Sequence, residues 1–282
     1  TQNRALEKGF LRKHEIPTCD FRVVTSLDEL KAAAEQLMPS VLKTTTDGYD
    51  GKGQAVIRTP QDVEAAWESL QTDEAILEEF IDYDFEFSIV AARNAAGQFT
   101  AYPSIRNEHS NQILDVSFSP SGLDAELNFK ATGIALQIMS ELDTVGVLCV
   151  EFFCRGGEIM VNEIAPRPHN SGHLTIEAHV TSQFEQQVRA VCGLPLGSTR
   201  QLAPAAMANL LGQHWDAGDP KWQLGLSMPN VKLHVYIKGD PQTNRKMGHM
   251  VALANTSEQS CEHVLAARKL LKLNTPDSEQ NE

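Results

Sequence analysis

The chain has 282 residues, 41% of them hydrophobic and 22% charged, which excludes disordered, collagen-like and membrane-embedded classes and leaves a globular protein with room for more than one lobe. Its 24 basic and 37 acidic residues give a formal charge of -13, so no binding mode resting on broad attraction to nucleic acid or anionic lipid is expected. An anionic ligand must then be held by a few local donors, which makes the position of each Lys and Arg informative.

Five cysteines, Cys19, Cys149, Cys154, Cys192 and Cys261, are odd in number and show no CxxC spacing. No apolar run reaches the roughly 18 residues of a membrane span, and no basic start precedes an apolar core. The reading is a cytoplasmic protein with neither nucleic acid nor membrane as partner.

In chain order, a short basic helix is expected over Arg4–His14, ending before Pro17. Ser26 with Glu29 reads as a capping box, and Leu27, Leu30, Ala33, Ala34 and Leu37 recur at helical spacing up to Pro39. A strand over Ser40–Thr45, a loop over Thr46–Gly53 and a strand over Gln54–Thr59 follow. Thr59 and Pro60 then read as cap and first residue of a helix, and a strand over Ala75–Ile81 closes a small α+β lobe.

Long β runs come next, Phe85–Asn94, Phe99–Arg106 and Ile113–Ser119, with a turn at Asn94–Gly97, predicting a mainly antiparallel sheet. An amphipathic helix is expected over Asp124–Leu142. Strands over Val147–Arg155 and Ile159–Ile164 then flank Gly156 and Gly157. A helix over Ser182–Cys192 precedes a boundary near Gly193–Arg200. Strands near Ala205, Val231 and His249 and a helix over Glu258–Leu273 suggest a small third unit, and the acidic tail reads as frayed.

Three features carry chemistry. The loop around Gly48, Gly51 and Gly53 allows positive φ and lets backbone N–H groups converge on an anion, with Lys43 and Lys52 flanking it. Read alone it is equally a glycine-rich hairpin with exposed lysines, and it lacks the spacing of a Walker loop. Glu151 and Glu163 each sit in an apolar strand, where a carboxylate needs neutralising and a divalent ion, magnesium or manganese, would do so. Because side chains alternate along strands, the two share a face only if Arg155 stands opposite Ile159 across a three-residue loop. The alternative is a pair of solvent-facing carboxylates. Arg167, His169, Asn170 and His173 then crowd seven residues with donors, as expected beside an anionic substrate.

Weaker signals come from the hinge Glu78-Glu79-Phe80-Ile81, where adenine could lie against backbone, from Glu86, which could accept from a ribose, and from Lys238, Arg245 and Lys246, suited to a phosphate monoester.

Together LKTTTDGYDGKGQ at 42–54, EEFIDYDFEFS at 78–88, CVEFF at 149–153 and VNEIAPRPHNSGHLT at 161–175 resemble the ATP-grasp superfamily, and within it the 5-(carboxyamino)imidazole ribonucleotide synthases, the ATPase subunits of phosphoribosylaminoimidazole carboxylase. The SQFEQQVRAVCGLPLG, YIKG and NRKMGH segments agree, so the resemblance covers nearly the whole chain. It implies an α+β fold in which two lobes clamp ATP ahead of a small C-terminal β-rich domain. The expected division is a linker with its helices over 1–38, the small lobe over 39–82, the large lobe with the metal site over 83–198, the C-terminal domain over 199–274 and a disordered tail over 275–282.

The resemblance further implies a ligase of purine biosynthesis that uses ATP and bicarbonate to carboxylate 5-aminoimidazole ribonucleotide through carboxyphosphate. It assigns Lys43, Gly48, Gly51, Gly53, Glu78, Glu79, Phe80, Ile81 and Glu86 to ATP, and Glu151 and Glu163 to magnesium. Lys52, Arg167 and His169 fall to catalysis; Tyr49, Asp50, Asn170, His173, Lys238, Arg245 and Lys246 fall to the substrate. A homodimer and a functional link to a downstream mutase are implied as well. Two departures stand out. Related enzymes place an Asn two residues past the second acidic ligand, where this chain has Ala165, leaving Asn162 nearby to take over. They also carry an N-terminal glycine-rich domain before the segment matched here, so a shortened chain with one wall of the substrate pocket missing and little turnover is expected. The alternatives are a formate-dependent glycinamide ribonucleotide transformylase or another ATP-grasp ligase, and a nucleotide-binding module without catalysis.

Overall fold

The computed structural model describes residues 2–46, 48 and 53–272. Helix α1 (Arg4–Lys13) is capped by Asn3, whose side chain accepts from Leu6 N. A four-stranded antiparallel sheet follows, in the order β1 (Phe21–Val24), β4 (Ala75–Glu79), β2 (Ser40–Thr44) and β3 (Gln54–Ile57). Helices α2 (Leu27–Leu37) and α3 (Asp62–Leu70) close its apolar face around Leu30, Leu42, Ile57, Val63 and Leu77. Ser26 caps α2 as its spacing predicts. The regular part of α3 begins at Asp62 rather than Pro60, after a tight turn in which Gln61 is already in the right-handed helical region and Asp62 Oδ2 accepts from the N–H groups of Arg58 and Thr59.

The second sheet has nine antiparallel strands, β10–β9–β5–β7–β8–β11–β13–β12 with β6 on β5. These are β5 (Phe85–Arg93), β6 (Phe99–Ala101), β7 (Ile105–Ser110), β8 (Ile113–Ser119), β9 (Gly146–Arg155), β10 (Glu158–Ala165), β11 (Ala205–Leu211), β12 (Val231–Val235) and β13 (Lys246–Leu253). The single strand expected over Phe99–Arg106 is two short ones, β6 and β7. Both pair with β5 at different levels.

Under one face of β5, β9 and β10 lies helix α4 (Ala125–Glu141). Its Ile134, Ile138 and Met139 pack on Phe87, Ile89, Val150 and Phe152, with Leu11 of α1 in the same core. Helices α5 (Thr175–Ala178) and α6 (Gln183–Val191) follow β10, and α7 (Trp222–Gly225) and α8 (Ser257–Leu270) lie in the last third. The strands expected as a third unit continue the large sheet, because β11 pairs with β8 from Ala205 opposite Ser119 to Ala208 opposite Val116. Their own core forms where Val264 and Ala267 of α8 meet Ala206, Ala208 and Met250. Among the described residues no helix is long and apolar enough to cross a membrane, and all five cysteines are free.

Candidate functional site

The β9–β10 hairpin corrects the expected loop. Arg155 stands opposite Glu158, not Ile159, across a two-residue turn of Gly156 (φ 57°) and Gly157 (φ 81°). Two positive φ values are what a type I′ turn requires, and glycine adopts them without a Cβ penalty. Unbroken pairing from that turn would put Glu163 on the wrong face. Instead the register shifts between Val161 and Glu163, and Glu163 pairs with Glu151. The extra residue, Asn162, is a β-bulge, so Val161 and Ile164 both reach the apolar core although they lie three apart. Directly paired residues project from the same face, and the two carboxylates therefore converge by a route that a period-two reading does not contain.

Alternation along the other strands carries more polar groups to that face. Ser88 pairs with Glu151, and Glu86 of the same strand pairs with Asn107. Glu86 forms an ion pair with His109, and Tyr83 stacks on Phe153 with centroids 4.6 Å apart. Burial alone would lower the His109 pKa, but hydrogen bonding to Glu86 and its charge raise it. From the small lobe, Lys43 Nζ lies 2.7 Å from Glu78 Oε2. Burial pushes the Glu78 carboxyl up, yet Lys43 and Lys8 outweigh it and hold the group below its usual range.

His169 Nε2 lies 3.1 Å from Glu151 Oε1, and its Nδ1 meets Ser171 Oγ at 2.9 Å. The polar chain continues inward from Ser171 Oγ to Ser88 Oγ at 2.7 Å, to Asn107 Nδ2 at 3.2 Å and on to Ser117 Oγ at 3.1 Å from Asn107 Oδ1. Gln183 fixes the His169 backbone from both sides, accepting from its N–H at 2.9 Å and donating to its carbonyl at 2.7 Å. Burial works against the charged imidazole; Cys149 and Glu151 overcome it and raise the pKa well above the usual value. Burial likewise works against ionised Glu151, but His169, His109 and Lys246 pull it down to about 2. Glu163 moves the other way. Although its residue is open to solvent, enclosure in the cleft and then the charge of Glu151 raise its pKa, with Arg4, Lys43 and His169 offsetting part.

Two hard oxygen donors whose mutual repulsion is only partly relieved suit a magnesium or manganese ion. Among the described residues no group of three or more His, Cys, Asp or Glu side chains is set to hold a metal by itself. Remaining ligands would have to come from a bound phosphate chain.

A model of the ATP-grasp domain matches residues 9–184, and one of the phosphoribosylaminoimidazole carboxylase C-terminal domain matches 205–263. N5-carboxyaminoimidazole ribonucleotide synthase of Bacillus subtilis is 40% identical over 261 residues, 92% of this chain and 68% of the relative. The chain belongs to this family of ATP-grasp enzymes. A crystal structure of the N5-carboxyaminoimidazole synthase of Aspergillus clavatus, in complex with ADP and 5-aminoimidazole ribonucleotide, superimposes with a TM-score of 0.87 at 29% identity, over 96% of this chain and 72% of that one. The bifunctional purine synthesis protein purC/E of Dictyostelium discoideum is 41% identical over 273 residues, 88% of this chain but 27% of that protein. The chain thus spans about two thirds of the length of the single-function synthases and about a quarter of the bifunctional relative.

Of the residues the synthase resemblance singles out, Lys43, Glu78, Glu86, Glu151, Glu163 and His169 are brought together as described. Gly53 (φ 69°) lies against Thr44, whose Oγ1 would meet an added Cβ at 2.7 Å. The Gly48 carbonyl accepts from Arg4 at 2.6 Å. Tyr49, Asp50, Gly51 and Lys52 lie outside the described residues. Glu79 and Phe80 line a cleft of about 750 Å³ with Arg58 and Arg155, and Ile81 is buried beside them. Asn170 exchanges amide hydrogen bonds with Asn209 of β11 at 3.1 and 2.7 Å, and His173 lies against His249 at 4.9 Å between centroids. Lys246 bears electrostatically on Glu151, and Lys238 on His173. Arg167 is exposed and turned to the Pro168 carbonyl at 3.1 Å, and Arg245 is exposed.

Sequence reasoning passes over Arg4, Glu7, Lys8, His109, Ser171 and Gln183. A signal for the first group exists: Arg4, Glu7, Lys8 and Leu11 share one stripe of α1 at three- and four-residue spacing, so charges stand where an amphipathic helix buries apolar groups.

Proposed function

We propose that this chain carries the machinery for ATP- and bicarbonate-dependent carboxylation of 5-aminoimidazole ribonucleotide, a carbon–nitrogen ligation in purine biosynthesis carried out in the cytoplasm. What supports the reading most is the bulge that sets Glu163 opposite Glu151, facing Lys43 and His169. The synthase names and the bound ADP and aminoimidazole ribonucleotide of the relatives agree with it.

Bicarbonate is a poor electrophile, so its carboxyl must first gain a leaving group. A bicarbonate oxygen attacks the γ-phosphorus of ATP and ADP departs, leaving carboxyphosphate; the exocyclic amine then attacks the carboxyl carbon, loses a proton, and phosphate leaves. When bound between Glu151 and Glu163, magnesium supplies charge neutralisation at the triphosphate. Lys43 adds a cation from the small lobe, and Glu78, ionised and paired with it, holds that ammonium in place. His169, half-buried and held by Gln183 and Ser171, orients a proton-bearing nitrogen at the edge of the site, where it can steady the leaving phosphate. Glu86 beside His109 suits ribose hydroxyls. Asn170 with Asn209, and Lys238, Arg245 and Lys246, suit the aminoimidazole ribonucleotide. The reading includes a homodimer and a product passed to a downstream mutase.

The test is phosphate release from ATP with magnesium and bicarbonate. Stimulation by aminoimidazole ribonucleotide and none by glycinamide ribonucleotide supports the reading; stimulation by the glycinamide compound alone supports the transformylase, and no stimulation by either in a chain extended to the length of the single-function relatives leaves only a nucleotide-binding module.

A further inference from the structure

Helix α1 lies in a segment whose sequence reads as a connection, yet its charged side chains end on the backbone of the site. Lys8 is 2% exposed, and its Nζ donates to Thr18 Oγ1 at 2.9 Å, to the Asn162 carbonyl at 2.9 Å and, at 3.4 Å, to the Val161 carbonyl. Glu7, 6% exposed, accepts from Ile164 N at 3.0 Å. Neighbouring residues of one helix thus bind the strand immediately before and immediately after Glu163. One turn earlier, Arg4 donates to the carbonyls of Thr44 at 2.8 Å and Gly48 at 2.6 Å, at the base of the glycine-rich loop.

A bulge leaves a residue out of the sheet ladder, and its buried carbonyl costs free energy unless another donor reaches it. We propose that Glu7 and Lys8 are positioning residues for the metal carboxylates: they stabilise the Asn162 bulge and so keep Glu163 on the face of Glu151. Removing them favours unbroken pairing, which turns Glu163 away. The charge of Lys8 also helps to hold the Glu78 carboxyl of the small lobe below its usual range. This inference rests on the reading of Glu151 and Glu163 as the cation site.

The full chain is titrated with magnesium chloride at fixed ATP in a calorimeter, and backbone amide exchange of β10 is followed without nucleotide. Lys8→Met is expected to raise the half-saturating magnesium concentration by about 10-fold or more, the scale typical of residues that orient metal ligands. Metal-free ATP binding should stay within about 3-fold, and Ile164 amide exchange should accelerate. Thr18→Val, which keeps shape and removes the shared hydroxyl, is expected to shift the same midpoint less, and Lys8→Arg to recover part of it. A folded Lys8→Met protein with a wild-type magnesium midpoint overturns the proposal. If Lys8→Met does not fold, Thr18→Val and Glu7→Met, which removes the oxygen that accepts from Ile164 N, decide: two unchanged midpoints and unchanged Ile164 exchange overturn it. Glu163→Gln runs alongside. If it too leaves the magnesium midpoint unmoved, the cation reading has failed, and β10 exchange alone then tests the support of the bulge.

Discussion

Glu151 and Glu163 face each other across a hairpin whose two-residue glycine turn, left unmodified, would hold them on opposite faces. Their shifts are opposed, Glu151 down to about 2 and Glu163 up: His169, bonded to the first, outweighs burial there together with His109 and Lys246, whereas burial and the charge of Glu151 outweigh Arg4, Lys43 and His169 at the second. The pair is therefore strained toward accepting a cation rather than satisfied by its own partners.

Glu163→Gln tests this directly. Magnesium-dependent ATP affinity should fall by more than the roughly 10-fold that a supporting residue costs. Fold stability without metal should change by no more than about 0.5 kcal/mol, since an exposed carboxylate contributes little packing and its removal relieves repulsion. Calorimetry with and without chelator, beside a thermal melt, reads both. An unchanged affinity would remove the metal assignment.

The Lys43–Glu78 pair gives a second test, one of stability. Glu78 is 5% exposed and Lys43 is 18% exposed, so Lys43→Met leaves a buried carboxylate compensated by Lys8, more weakly by Arg4, and by the Cys19 thiol. The expected cost is about 3 kcal/mol, at the low end for breaking a buried pair. Adding Glu78→Gln should restore most of it. Urea unfolding at neutral pH measures the cycle, and simple additivity of the two substitutions would show that the pair is not coupled.

His179 carries a pH dependence of its own. It is 4% exposed, stands edge-on to Tyr102 at 5.2 Å, and neither ring nitrogen has a hydrogen-bond partner among the described residues. Burial lowers its pKa from 6.5 to about 4. Between those values the unfolded chain binds the proton and the folded one does not, so stability is fully present above pH 6.5 and declines as pH falls towards 4. At 1.36 kcal/mol per pKa unit the decline is at most about 3 kcal/mol. His179→Phe keeps the ring contact, removes two unpaired polar atoms and should stabilise the fold at pH 7 by about 1–3 kcal/mol. His173 and His249 are also depressed, so the measurement is the difference between wild type and variant melts from pH 7 to 4. Parallel curves would show that His179 does not titrate in this range.

Much of the fold is legible because its elements announce themselves locally. Ser26, Asp124 and Ser182 each accept from the N–H three residues on, and the apolar spacing after them sets the length of their helices. The convergence of Lys43, Glu86, Glu151 and His169 is legible through motif resemblance. The route by which Glu163 joins them is not, because a bulge is a cooperative property of two strands and a buried lysine 153 positions away. Continuation of the large sheet through β11 is hidden for a similar reason. Pairing of Ala205–Ala208 with β8 depends on non-local edges, and small apolar residues suit any buried strand.

Gly172 offers the sharpest test of His169. An added Cβ there would meet Gln183 Oε1 at 2.6 Å and Cδ at 2.8 Å, closer than side chains approach. Gln183 is buried and holds the His169 backbone through both the oxygen and the nitrogen of its side-chain amide, so it cannot move without releasing those bonds. Gly172→Ala should therefore loosen His169 while leaving Lys43, Glu78 and the hinge untouched. ATP affinity is expected to stay within about 3-fold, whereas the carboxylation rate falls by about 10- to 100-fold, as for other residues that orient a working side chain. His169→Ala should show the same division more strongly. Nucleotide titration and product formation, measured on the same preparations, separate the two effects, and equal losses in both would contradict a role for His169 confined to carboxyl transfer.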